Sequence, residues 1–424
     1  MPATTADLIE RRARLLGPSY RLFYDEPLHP VRGEGVWLFD AEGRRYLDAY
    51  NNVVCVGHAH PQVVEAIARQ AATLNTHTRY LHEGVLDYAE RLLATMPAEL
   101  GHAVFTCTGS EANDLALRIA RTHTGGEGVI ITSFAYHGVT ASLAEASPSL
   151  GRYVQLGRTV RTVPAPDGDQ LDAETLGRHF ADGVRSAIAD LQAAGIRPAA
   201  LLVDTVFSSD GIFTGPRGFL QEAVAAIREA GGVFIADEVQ PGFGRTGEAF
   251  WGFARHGVVP DIVTMGKPMG NGHPVAGLAV RPEVMAAFGR QCRYFNTFGG
   301  NPVSMAAAGA VLDVLHHGEL PANAQAVGDY LMAGLRQLGE KHALIGQVRG
   351  AGLFIGVELV TDRARRTPAT AEAARVVNGL RQAGVLLSAT GEAAHILKLR
   401  PPLVFERAHA DLLVQTLDDV LARL

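Results

Sequence analysis

Lys267 and Asp237 are the residues of this chain whose types and setting most directly imply chemistry. Asp237 closes the apolar run Gly231-Gly232-Val233-Phe234-Ile235-Ala236, which reads as a buried strand. Lys267 follows Asp261-Ile262-Val263-Thr264-Met265, a second short strand, and stands between Gly266 and Pro268. A carboxylate and an amine at strand ends would face one crevice at the carboxyl edge of a sheet, where open α/β folds place ligands. An amine that can form a Schiff base, near a carboxylate that can keep a pyridinium nitrogen protonated, suits pyridoxal phosphate (PLP). A buried salt bridge would use the same two residues, but a phosphate site upstream speaks for the cofactor.

That phosphate site is Thr108-Gly109-Ser110-Glu111-Ala112-Asn113, followed by Leu115-Ala116-Leu117-Arg118-Ile119-Ala120. Apolar residues at 115, 116, 119 and 120 have helical period, so Gly109 and Ser110 stand at a helix start. Free backbone N–H groups and the positive end of the helix dipole favour an anion there, although Gly-Ser-Glu is also an ordinary cap. Tyr136-His137-Gly138, after the apolar run 128–131, offers a flat ring to stack on a cofactor.

The order Gly109-Ser110-Glu111-Ala112-Asn113, Tyr136-His137-Gly138, Asp237-Glu238-Val239-Gln240, Lys267 and Asn296-Thr297-Phe298-Gly299-Gly300-Asn301-Pro302 resembles the class-III aminotransferases, a family of PLP enzymes. The likeness runs from Gly33-Glu34-Gly35 to Pro401-Pro402. It implies PLP-dependent transferase fold type I, with Lys267 joined to the cofactor and Asp237 paired with its ring nitrogen. Val239 would support one ring face and Tyr136 or His137 would cover the other. Gln240 would reach the ring hydroxyl. Ser110 and the Gly109 backbone would hold the phosphate, with Thr297 reaching in from a neighbouring subunit. The resemblance therefore implies a homodimer or higher assembly with sites at the subunit interface.

Two loops are expected to shape the substrate pocket. One runs from Asn51 through Asn52 to Pro61; its His58 and His60 suit loop structuring better than a metal, since no acidic or cysteine ligands cluster nearby. The other carries Arg79 and Tyr80, where Arg79 serves either as an anion clamp or as part of a solvated loop. Many relatives grip a substrate carboxylate with an arginine at the position held here by Lys398, in Lys398-Leu399-Arg400-Pro401-Pro402. Lysine lacks the planar fork that matches a carboxylate. Strand alternation puts Lys398 and Arg400 on one face, and either would suit an anion. Asp204 stands where the family usually has glutamate, and Ser209 stands where ω-aminotransferases carry a gating glutamate. Within the family, the segments around Arg79, Arg366 and Lys398 are most similar to the ethanolamine-phosphate and hydroxylysine-phosphate phospho-lyases.

These residues need a scaffold. Apolar runs at 102–106, 129–132, 199–204, 233–237, 262–265 and 276–280 alternate with helical patterns, which predicts an α/β fold with a mostly parallel sheet flanked by helices. An amphipathic helix is expected over 7–16, and a hairpin from 36–40 and 45–48. We divide the chain into an N-terminal segment, 1–60, that contributes to a small domain; a large PLP-binding domain, 61–305; and a C-terminal small α+β domain, 306–424. At 424 residues the chain exceeds one ordinary core.

A net charge of −6 without a clustered basic stripe argues against nucleic acid as partner. No uncharged apolar run reaches transmembrane length, and the first residues lack a secretory pattern, so no membrane partner is expected. The three scattered cysteines, Cys55, Cys107 and Cys292, suit a reducing cytoplasm. The motifs thus predict an enzyme acting on a small amine or amino acid. The first reading is transamination to a 2-oxo acid; the alternative is elimination of ammonia and a β substituent from a phosphorylated or phosphonated amine such as phosphoethanolamine. A non-catalytic binding protein on this fold would have no need of both Lys267 and Asp237.

Overall fold

The computed structural model describes residues 4–168 and 171–424; the expectation for the first residues falls partly outside them. A seven-stranded sheet forms the centre, in the order His102–Thr106, Ala276–Val280, Ile262–Met265, Val233–Asp237, Pro198–Asp204, Gly128–Thr132, Val160–Val163. The last five are parallel to one another, whereas Ala276–Val280 runs antiparallel to both its neighbours. Helices cover both faces. The central strands are accordingly apolar on both sides, and every side chain from Ala199 to Val203 is fully buried.

This topology gathers the motifs. Val233–Asp237 and Ile262–Met265 pair in register, Asp237 against Thr264, so Asp237 and Lys267 emerge at the same edge. His102–Thr106 delivers Gly109 there, and Gly128–Thr132 delivers Tyr136 and His137. Helix Gly109–Thr124 begins where it does because Thr108 and Glu111 form a capping box, and it ends at Gly125, φ +62°. Its face of Leu115, Ala116, Ile119 and Ala120 is buried.

Two smaller sheets flank the large one. Strands Pro30–Glu34, Trp37–Asp40 and Arg45–Asp48 join the C-terminal strand Val385–Leu386, tying the two ends of the chain together. The other sheet is antiparallel and contains Ile345–Ala351, Phe354–Asp362, Ile396–Leu399 and Ser388–Thr390. Helix Thr5–Leu16 starts on a Thr4 capping box and leaves each of its residues exposed or half-exposed.

The loop after Pro198–Asp204 has unusual backbone. Phe207 and Ile212 adopt φ of +53° and +62°, a costly conformation for a bulky and a β-branched residue. The C-terminal segment grips this loop by its carbonyls: Lys398 Nζ and Thr390 Oγ1 donate to Ser208 O, Gly391 N to Ser209 O, and Arg349 to Gly211 O and Ile212 O.

Candidate active site

A cavity of about 190 Å³ opens at the carboxyl edge of the large sheet. It brings together eight residues singled out from the sequence: Gly109, Ser110, Tyr136, His137, Asp237, Val239, Gln240 and Lys267. Thr108, Asn113 and Gly138 complete its wall.

Asp237 is 4% exposed, and each of its oxygens accepts hydrogen bonds. Oδ2 takes His137 Nδ1 and Asn113 Nδ2, each at 2.8 Å, and Oδ1 takes Val239 N at 3.1 Å. Asn113 is itself fixed, because Thr264 Oγ1 donates to its Oδ1 and its Nδ2 also reaches His137 O. Surrounded by donors, Asp237 is set up as a carboxylate that can hold one more cationic N–H. His137 is thus committed edge-on to Asp237, and its Nε2 has no hydrogen-bond partner among the described residues. Tyr136 is only half-buried; burial, then the Asp237 charge, pushes its hydroxyl pKa up.

Lys267 opens a short turn after its strand. Burial lowers its pKa, and the Arg400 charge lowers it further, against the pull of Asp237 and Asp204. An amine whose pKa is lowered in this way is suited to serve as nucleophile and base. At the other end of the cavity, the first turn of helix Gly109–Thr124 offers backbone N–H groups. A Cβ on Gly109 would come within 2.9 Å of Val239 Cγ2, so glycine is needed for Val239 to pack against this turn. A Cβ on Gly138, φ +142°, would come within 2.7 Å of Ser110 Oγ, which accepts from Val139 N at 3.1 Å.

Behind Gln240 lies a buried polar network. Arg400 Nη1 donates to Gln240 Oε1 and, at 3.4 Å, to Asn52 Oδ1; Asn52 Nδ2 returns to Gln240 O at 3.3 Å. Gln240 Nε2 donates to Ser208 Oγ, and Ser208 Oγ donates to Asp204. Lys398, 7% exposed, donates to Ser208 O at 2.8 Å. Burial drives the Lys398 pKa well down, and the neighbouring Arg400 adds to that. Among the described residues the cavity wall does not include Asn52, Lys398 or Arg400, the residues expected at the substrate.

Arg79, Tyr80 and Thr297 lie outside this cavity too. All three are exposed. Arg79 sits over the Phe295 ring at 3.8 Å, Tyr80 stacks on His77, and Asn296 ties the Thr297 loop to Glu111 on helix Gly109–Thr124. His58 bonds Asp48 at 2.8 Å, in keeping with its loop-structuring reading. Asn113 and Ser208 carry site contacts that the sequence did not reveal. Asn113 lies one turn beyond Gly109 on the same helix face, a spacing that could have flagged it.

The profile of the aminotransferase class-III family matches residues 24–421. The chain belongs to the class-III aminotransferase family. It is 43% identical to a Drosophila melanogaster protein named alanine–glyoxylate aminotransferase 2-like, covering 96% of this chain and 85% of that one. A phospholyase from Arthrobacter, solved in complex with phosphoethanolamine, superposes with a TM-score of 0.95 at 46% identity, covering 99% of this chain and 100% of that one. An amine transaminase from an uncultivated Pseudomonas species, solved with PLP bound, gives 0.87 at 31% identity, covering 94% and 95%. Class-III aminotransferases use PLP, and the residues present here fit that group. Lys267 would supply the amine for its aldehyde, Asp237 the acceptor for its ring nitrogen, and the Gly109–Ser110 turn the N–H cradle for its phosphate.

Proposed function

We propose that this family member is a lyase that removes phosphate and ammonia from a short phosphorylated amine of the phosphoethanolamine type. What carries the reading is the likeness to the Arthrobacter phospholyase over essentially the whole of both chains. The residue at position 398 agrees with it. Lys398 lacks a carboxylate-matching fork, and its amine is directed at Ser208 O. PLP, when bound, supplies an electron sink for the carbon that bears the amine. Lys267 would take the proton from that carbon, a role helped by burial, which lowers the pKa of its amine. Asp237 would hold the ring nitrogen protonated. Loss of that proton and of phosphate from the adjacent carbon, followed by addition of water, would give phosphate, ammonia and an aldehyde.

The leaving phosphate needs cationic partners. Arg400 is fully buried behind Gln240, and its Nε is unpartnered among the described residues. Arg79 faces solvent with no carboxylate in ion-pair range among the described residues, so it is free to serve a second subunit. We therefore read the enzyme as a homodimer in which Thr297 and Arg79 of one chain complete the site of the other. The exposed apolar residues Leu15, Leu16, Tyr20 and Phe23 support an interface on the N-terminal segment. The scattered free cysteines suit the cytoplasm.

Transamination is the second reading, favoured by the identity with the alanine–glyoxylate aminotransferase 2-like protein. Lys267, Asp237 and the phosphate cradle serve both reactions. A product assay separates them. With phosphoethanolamine alone, the holoenzyme should release phosphate and ammonia in equal amounts. Alanine formed from pyruvate, with no phosphate released, would establish the transaminase reading instead.

A further inference from the structure

The hydrogen bonds behind Gln240 run in one direction only. Arg400 has no acceptor, so the Gln240 atom facing it must be the oxygen Oε1. That turns the Gln240 amide nitrogen, a pure donor, toward Ser208 Oγ. Ser208 Oγ must accept there, and its single proton therefore goes to Asp204. Asp204 is a suitable terminus: Oδ1 accepts from Val206 N at 3.0 Å, and Oδ2 also accepts from Ser208 N at 3.2 Å. Each link fixes the next, from a cation that only donates to a carboxylate that receives three donors.

Gln240 is the one member of this chain of bonds that lines the cavity. An unconstrained carboxamide presents either its oxygen or its nitrogen with equal ease. Here the oxygen is held by Arg400, and Ser208 takes one of the two amide protons. The polar group left to offer the cavity is the second N–H, a donor suited to an anionic ring oxygen.

We propose that Ser208 is a positioning residue for the cofactor: the one-way chain Arg400, Gln240, Ser208, Asp204 locks the Gln240 carboxamide with its N–H toward the ring oxygen. This rests on the reading that Gln240 contacts that oxygen. The backbone supports it independently. Ser208 sits on the loop whose flanking residues Phe207 and Ile212 hold left-handed conformations, and four side-chain or backbone donors of the C-terminal segment pin that loop's carbonyls. Strain held in place by so many contacts at a cofactor site is the pattern of a preorganised positioning element. Ser208 is fully buried, so its hydroxyl is not there for solvent.

The experiment uses the holoenzyme and reads the absorbance of the bound cofactor as pH is varied, together with the cofactor dissociation constant. Four proteins are compared: parent, Ser208→Ala, Gln240→Ala and the double variant. Losing the donor to an anionic ring oxygen should make that oxygen easier to protonate. Gln240→Ala should therefore raise the absorbance midpoint, and Ser208→Ala should raise it in the same direction by about half a pH unit. Ser208→Ala should also weaken cofactor binding several-fold. In the Gln240→Ala background, removing the Ser208 hydroxyl should add nothing, because two residues acting through one contact are not additive. A Ser208→Ala midpoint equal to the parent's, with Gln240→Ala shifted, overturns the proposal alone. An unshifted Gln240→Ala overturns it together with the reading beneath it. A Ser208→Ala shift that persists undiminished in the Gln240→Ala background assigns Ser208 a merely structural role and also overturns it. If Ser208→Ala does not fold, Ser208→Cys, near in size but a weak hydrogen bonder, tests the same bond with the same expected direction.

Discussion

Lys398 directs its amine at the backbone carbonyl of Ser208, 2.8 Å away, in a fully buried setting. It thereby anchors the loop that orients Gln240, and stands one layer behind the cofactor cavity. Lys398→Met would keep the length of the side chain and remove the donor, leaving Thr390 Oγ1 to hold the same carbonyl at 3.1 Å. We expect kcat/KM to fall about tenfold, some 1.4 kcal/mol, and by a similar factor for phosphorylated and uncharged amines. Steady-state kinetics on phosphoethanolamine and an uncharged amine decide this. A loss confined to the phosphorylated substrate would mean that the amine swings into the pocket and grips the anion.

Asp237→Asn should cost far more than its near-identical size suggests. The amide is neutral and cannot keep the ring nitrogen protonated, and its NH2 would oppose either the Val239 N–H or the His137 and Asn113 donors. Turnover should drop on the order of 10²-fold or more, comparable to removing a well-placed electrostatic group. Cofactor retention should fall less, since Lys267 and the helix N-terminus are untouched. Near-parent kcat in a protein that still binds PLP would place the ring nitrogen elsewhere.

The cavity at the sheet edge was legible because its parts are local. Lys267 and Asp237 each follow an apolar strand, and Gly109 opens a helix, so short windows of sequence disclose them and the α/β alternation puts them on one edge. The reversed direction of Ala276–Val280 was not legible, since nothing within those residues records where the preceding chain turns back. Asn113 reaches Asp237 from a different element, and Ser208 meets Lys398 and Gln240 only after the C-terminal sheet has packed on the loop. Such contacts are set by tertiary packing, and of the two residues only Asn113, one helical turn beyond Gly109, left a trace in the spacing. The left-handed backbone of Ile212 runs against its own propensity, which is the kind of local conflict expected where a site is being held in shape.

Glu358 makes that holding pH-dependent. It is 4% exposed and pairs with Arg349 at 3.2 Å, Arg366 at 3.0 Å and His395 at 3.5 Å. Burial alone would raise its pKa, but the bond to His395 and the charges and bonds of Arg349 and Arg366 hold it down to about 2, against an ordinary 4.5. A folded-state value below the unfolded one stabilises the fold above pH 4.5, and that contribution drains away as pH falls toward 2. Glu358→Gln removes the charge and leaves Arg349, which also holds Gly211 O and Ile212 O, without its buried anion. At pH 7 the variant should be less stable by about 3–5 kcal/mol, the range for breaking one side of a buried pair. The gap should narrow as the denaturant midpoint is followed from pH 7 down to about pH 3, because the parent loses in acid what the variant never had. A gap that stays constant over this range would show that the carboxylate charge contributes nothing and that the loss is one of packing.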